Sequence, residues 1–230
     1  WLLIELIQPP NEVAVGLLLV ACCPGGAVSN IYSYMAKANV ALSVTLTTVN
    51  SLISVILLPL FVAFIFPVMF ALETDTNGLM QRQSLQLILL LLCPTILGMT
   101  LRNYLPYIIL RAMPLLERLG ALGLIALLIS IFIQFQQQII NQLSALILLA
   151  IVFTLSSLLI AYLINTALRI NKKDGAAILI ELPVRNLALA ALIAISIFSN
   201  PEYLLFAAVF FVVQTPIMLA ITFYYRQRLN

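Results

Sequence analysis

The 230 residues include no histidine, and charged side chains make up only 8% of them. Without histidine the chain lacks the commonest general base and metal ligand. Its only two aspartates, Asp75 and Asp174, stand in polar connecting stretches, so intramembrane enzyme chemistry has no support. Charge is too sparse for a soluble domain, which ordinarily carries about 25% charged residues. Cysteine is scarce as well. Cys22 and Cys23 are adjacent and Cys93 lies within an apolar run, which excludes a disulfide framework and a zinc site. The adjacent pair reads as small packing residues, with a soft-metal or arsenite thiolate site as the alternative. The start carries no basic leader and no cleavage pattern, so it is not a signal peptide. A net charge of +3 gives no support for nucleic-acid binding.

What fills the chain is hydrocarbon: 63% of the residues are hydrophobic. A helix needs ~20 apolar residues to cross a bilayer, and successive runs of that length account for nearly the whole sequence. The chain therefore reads as an all-α polytopic membrane protein with the lipid bilayer as its solvent. It opens mid-run at Trp1, as the tail of a span whose beginning lies outside the sequence. The predicted spans are about 13–37, 40–70, 84–102, 116–135, 142–168, 175–198 and 203–224. The loops between them include Glu73 to Gly78 and the Gln136 to Asn141 turn. Alternate loops differ in charge. Lys37, Arg102, Arg111, Arg118, Arg169, Lys172, Lys173, Arg226 and Arg228 fall on one side, and Arg82 alone on the other. The positive-inside rule makes the first side, with the C-terminus, cytoplasmic. In a bacterial-type cell the membrane is the inner one.

Two spans are broken. The span at 13–37 contains Pro24-Gly25-Gly26 and then Ser29-Asn30; the span at 175–198 contains Glu181-Leu182-Pro183-Val184-Arg185-Asn186. Each proline removes a backbone donor, and glycines weaken the helix further. The two spans run in opposite directions, five spans apart. That is the pattern of inverted repeats whose discontinuous helices meet near the bilayer midplane. The half-helix after each break points partial positive charge at that level, which favours an anion such as a carboxylate. Proline kinks with close glycine packing are the plainer alternative. Glu181 and Arg185, two ionisable groups about one helical turn apart, weigh toward a site. In hydrocarbon each costs about 2.5–3.5 kcal/mol on insertion scales, so Glu181 needs a counter-charge. That charge is either a bound cation or Arg185, four residues on. In the next span Ser43, Thr47 and Ser54 share a face, with Asn50 and Ser51 close by. Their hydroxyls suit either a hard cation or ordinary hydrogen bonds between helices.

Cys22-Cys-Pro-Gly-Gly26, Ser29-Asn30 and Asn39-Val-Ala-Leu-Ser43 strongly resemble the bile acid:sodium symporter family, and Glu181 with Asn186 fits its second signature. The likeness covers essentially the whole chain. It implies an inverted-repeat transporter fold with core and panel domains, with the first two spans and part of the third missing here. Residues 1–83 and 139–230 would be core and residues 84–138 panel helices. The resemblance assigns one sodium site to Ser29, Asn30, Ser43, Thr47 and Glu181. A second site would use Glu181, the backbone carbonyls of Leu182 and Val184, and two glutamines. One glutamine lies outside the sequence and the other aligns with Arg185. A guanidinium has donors and no acceptor and cannot ligate sodium, so one sodium is expected to remain as the coupled ion, with no organic cofactor. Asn186 matches an asparagine near the substrate, and Ala27 stands where several members carry a hydroxyl.

The function implied is sodium-coupled symport of a small organic anion, a bile-acid-, pantoate- or pyruvate-like carboxylate, by alternating access. The alternative is a sodium-independent or proton-coupled carrier in which Arg185 replaces one sodium. A receptor or sensor would instead move no substrate at all.

Overall fold

In a computed structural model, residues 2–62 and 79–229 are described. The loop expected from Glu73 to Gly78 and the end of the span expected at 40–70 lie outside them. Helices account for nearly all of the described chain: α1 (Leu2–Ile7), α2 (Asn11–Cys22), α3 (Val28–Met35), α4 (Val40–Leu60), α5 (Leu79–Tyr104), α6 (Pro106–Gln134), α7 (Gln136–Ala167), α8 (Lys172–Glu181), α9 (Leu187–Ser196) and α10 (Leu205–Arg228). A short 3₁₀ turn, Pro201–Leu204, leads into α10. Four of these stretches are long and apolar enough to cross a membrane: Val40–Leu60, Pro106–Gln134, Gln136–Ala167 and Pro201–Arg228. Large apolar side chains face outward along them, among them Ile56, Leu122, Ile133 and Leu159. In water that surface would be an aggregation liability; in a bilayer it is the solvated face. The protein is an all-α polytopic membrane protein.

Three expected boundaries move. The span expected at 84–102 begins at Leu79. The span expected at 116–135 begins at Pro106, whose ring fixes a helical φ at the first turn, so Arg111 is helical rather than in a loop. The Gln136 to Asn141 stretch, expected as a turn, forms the first turns of α7. Polar residues there signal the end of the apolar run and not the end of the helix.

Several connections share one device. Lys37, Arg169 and Ser199 take positive φ just past a helix end, each followed two residues or one residue later by an asparagine. In the first two cases the N–H three residues past the helix reaches back: Ala38 to the Ser33 carbonyl at 3.0 Å and Ile170 to the Asn165 carbonyl at 3.0 Å. That closes the helix in a Schellman-type turn. The asparagine then caps the next helix, Asn39 accepting from the Leu42 N–H and Asn171 from the Asp174 N–H.

Packing centres on α2, α7, α9 and α10. Leu19, Leu146, Leu149, Ile193, Phe206 and Phe210 are fully buried there. Phe153 meets Phe206 and Phe210 edge-on at ring separations of 6.3 and 5.5 Å. Gly16 allows α2 to lie directly on the 3₁₀ turn, since a Cβ at that position would collide with the Tyr203 carbonyl. A second cluster of Tyr32, Ala36, Ala176, Ala177, Ile180 and Met218 joins α3, α8 and α10. Small residues on α8 let three helix backbones approach closely, as apolar driving force alone does not in lipid. Each interrupted helix is thus shared between the clusters, α2 and α9 in the first and α3 and α8 in the second.

Candidate functional site at the helix crossing

Both helix breaks expected from the sequence are present. Helix α2 stops at Cys22 and α3 starts at Val28; α8 stops at Glu181 and α9 starts at Leu187. The two extended segments run antiparallel and pair. Gly26 N–H donates to the Val184 carbonyl at 3.1 Å, and Asn186 N–H donates to the Pro24 carbonyl at 2.9 Å, around a Gly25–Arg185 bridge. The pairing satisfies backbone groups that proline leaves without helical partners, which an apolar medium demands. It also explains the glycines. A Cβ at Gly25 would collide with Glu181 Oε1, and one at Gly26 would come within 2.8 Å of the Arg185 carbonyl oxygen. At Gly26 the obstacle is main chain, and at Gly25 it is the end of the Glu181 side chain.

Directly beside the crossing, the five residues assigned to one site converge. Glu181 is 5% exposed, and Ser29 and Ser43 are fully buried. Ser29 Oγ donates to Glu181 Oε2 at 2.6 Å, and Thr47 Oγ1 donates to Oε1 at 2.6 Å. Ser43 Oγ lies 3.2 Å from Oε2 and 2.8 Å from Asn30 Oδ1. Asn30 Oδ1 also faces Thr47 Oγ1 at 3.4 Å. Residues from α3, α4 and α8, up to 152 positions apart, thus surround one carboxylate.

The proton count in this cluster is unbalanced. Ser29, Ser43 and Thr47 have one hydroxyl proton each. Six side-chain oxygens, those three hydroxyls, Asn30 Oδ1 and the two of Glu181, share these three hydroxyl protons, while the Gly26 carbonyl already accepts from the Ser29 N–H at 2.9 Å. A site richer in oxygen lone pairs than in protons suits a hard cation, which takes oxygen ligands. Each hydroxyl can turn its proton outward and offer its lone pairs inward.

Arg185 does not pair with Glu181. Its Nη1 points to the Cys23 carbonyl at 3.4 Å, its guanidinium carbon lies 5.9 Å from the centre of the Phe153 ring, and its buried Nε has no partner. The break at Pro183 carries Arg185 out of the i, i+4 register in which it would have met the carboxylate. The ion pair weighed from the sequence is therefore absent, and both charges keep capacity for other partners. Of the two backbone carbonyls singled out, Val184 accepts from Gly26. Leu182 directly follows α8. Asn186 caps α9, accepting from the Leu189 N–H at 3.1 Å. Ser54 and Ser51 share α4 with this cluster but do not contact Glu181; Ser51 bonds the Thr47 carbonyl instead.

Three structural contacts go beyond what the sequence indicates, in which Gln214 with Thr215 and Pro216 reads only as a kink. Gln214, buried in α10, reaches the Pro183 carbonyl at 3.4 Å and braces the second break. Its amide inside an apolar helix was the available signal. Asn39 Nδ2 donates to Asp174 Oδ1 at 2.7 Å, and Asn39 N–H to the Lys173 carbonyl at 3.2 Å, tying the start of α4 to the start of α8. Ser33 adds a hydroxyl 3.2 Å from Ser43 Oγ.

Paired broken helices, a buried carboxylate among oxygens and an outer apolar surface are features found in membrane transporters with discontinuous helices. More particularly, the chain belongs to the sodium bile acid symporter family, whose model matches residues 1–145. It is 32% identical over 86% of its length to the probable sodium/metabolite cotransporter BASS1 of the Arabidopsis thaliana chloroplast, covering 48% of that protein. It is 29% identical over 83% of its length to the uncharacterized sodium-dependent transporter YocS of Bacillus subtilis, covering 57% of that protein. A shorter stretch of 47 residues is 43% identical to the human ileal sodium/bile acid cotransporter, 20% of this chain and 14% of that one. The chain spans about half the length of the longer-matching relatives. The family is one of transporters, and these relatives are named as transporters or cotransporters, not enzymes.

Proposed function

We propose that the complete protein is a secondary transporter that moves a small organic anion together with sodium by alternating access. The observation that carries this is the cage around Glu181, where hydroxyl, amide and carboxylate oxygens outnumber the protons among them. One sodium held by Ser29, Asn30, Ser43, Thr47 and Glu181 supplies the missing positive charge. The relatives named sodium-dependent transporter and sodium/bile acid cotransporter support the same reading. Residues 1–83 and 139–230 form the core and residues 84–138 the panel against which it rocks. The two broken spans are inverted-repeat counterparts, and the C-terminus is cytoplasmic in an inner-membrane setting. The anion, a bile-acid-, pantoate- or pyruvate-like carboxylate, sits near Arg185 and Asn186, where α3 and α9 present their N-terminal ends.

Sodium binding is tested by thermal unfolding of the complete protein in sodium against potassium. Native protein is expected to melt at higher temperature in sodium, by the mass-action stabilisation that a native-state ligand provides. Glu181→Gln removes the charge and is expected to abolish the difference. Equal melting of the native protein in both salts would refute the sodium site.

A second reading is favoured by one observation, the fixed cation already present at the crossing. Arg185 takes the place of a second sodium, so coupling uses one ion. Arg185→Gln is then expected to steepen the sodium dependence of uptake. If the dependence is equally steep before and after, Arg185 has no part in coupling.

A further inference from the structure

Away from the crossing, the ends of three helices border an open cavity of about 680 Å³. Its wall comes from the end of α7, the start of α8 and the end of α10, and includes Tyr162, Arg169, Lys172, Tyr224, Tyr225 and Arg228. Three cations thus face one space, and none of its lining residues is a carboxylate. The nearest acid in the sequence, Asp174, is engaged by Asn39 and Asn171. The wall is fixed. Asn165 Nδ2 bonds the Gly175 carbonyl at 2.8 Å, locking α7 to α8, and the Arg228 guanidinium carbon lies 4.7 Å from the centre of the Tyr224 ring. A guanidinium over an aromatic face still offers its N–H edge to an anion.

We propose that this cavity binds the phosphate of an anionic membrane phospholipid. Phosphate is the anion that several convergent Arg and Lys side chains hold best. A bilayer source follows from what adjoins the cavity. Tyr162 and Thr166 continue a stripe at i, i+3 and i+4 spacing whose next members toward the apolar middle of α7 are Leu159 and Leu155, 57% and 52% exposed, and Arg169 follows just past the helix end. A headgroup among the cations would lay its acyl chains along that stripe. Tyrosines and basic residues at the ends of apolar helices mark the level where headgroups lie.

The test is native mass spectrometry of the complete, detergent-purified protein titrated with phosphatidylglycerol, with phosphatidylcholine, and with inorganic phosphate as competitor. Phosphatidylglycerol is expected to bind one equivalent more tightly than phosphatidylcholine. Arg169→Gln, Lys172→Gln and Arg228→Gln should each weaken it about fivefold, and the triple variant about a hundredfold. Arg102→Gln with Arg118→Gln, on α5 and α6, should leave it unchanged. Should the triple variant fail to fold, the three single variants carry the comparison. Native-like binding in those variants, or equal binding of the two lipids, would overturn the proposal. Displacement of the lipid by an equal concentration of inorganic phosphate would overturn the bilayer source and reassign the cavity to soluble phosphate compounds.

Discussion

Gly25 and Gly26 stand side by side at the crossing, yet they have different neighbours and should fail differently. A methyl group at Gly25 meets the end of the Glu181 side chain, which can swing aside; one at Gly26 meets the Arg185 main chain, which cannot. Gly25→Ala is therefore expected to leave a folded protein whose carboxylate no longer reaches Thr47. Since a hydrogen bond to a charged group is worth about 1.5–3 kcal/mol, its apparent sodium affinity should fall roughly tenfold or more. Gly26→Ala should instead cost about 1–3 kcal/mol of stability through backbone displacement. Sodium activation curves and melting temperatures of the two variants separate these outcomes; identical behaviour would mean that the Glu181 position does not depend on the glycines. At this scale much was legible. A carboxylate in an apolar run demanded a partner, and Ser43 and Thr47 had to share a face of α4. The contact between Gly25 and Glu181 was not legible, because no local pattern records which distant side chain a glycine makes room for.

Among the elements, the breaks were readable because proline and glycine act on their own helix, whatever surrounds it. The pairing of the breaks is a tertiary event and left no local trace: Gly26 and Val184 are joined only once α3 and α8 have packed. Helix ends were misread for a related reason. Arg111 and the glutamines at 136–138 are polar, but a helix can extend past the apolar run that first reveals it, as α6 and α7 do. The Asn39 clamp depends on this level of structure. Asn39 caps α4 and holds Asp174 at the start of α8, so it fixes the two helices that bring Ser43, Thr47 and Glu181 together. Asn39→Ala is expected to destabilise the protein by about 1–2 kcal/mol, the usual cost of a lost cap. Asn39→Asp should restore the cap but place a second carboxylate against Asp174, and so recover little. Unfolding in a mild detergent measures both; an Asn39→Ala protein as stable as native would show that the clamp contributes nothing.

For the whole molecule, the crossing gathers two opposite charges that do not neutralise each other by contact. Glu181 faces the hydroxyls and amide of α3 and α4, while Arg185 lies against the Cys23 carbonyl and the Phe153 ring. On the function proposed above, a cation would bind on one side of the crossing and an anion on the other, and the apolar shell would make each favour the other's presence. Loading both together leaves less uncompensated charge at membrane depth than loading either alone. The most direct measurement is uptake of a panel of small carboxylates into liposomes containing the complete protein, driven by an inward sodium gradient or by an equal potassium gradient. Accumulation of at least one carboxylate with sodium and its absence with potassium is the expected result; uptake at the same rate with both ions would contradict it.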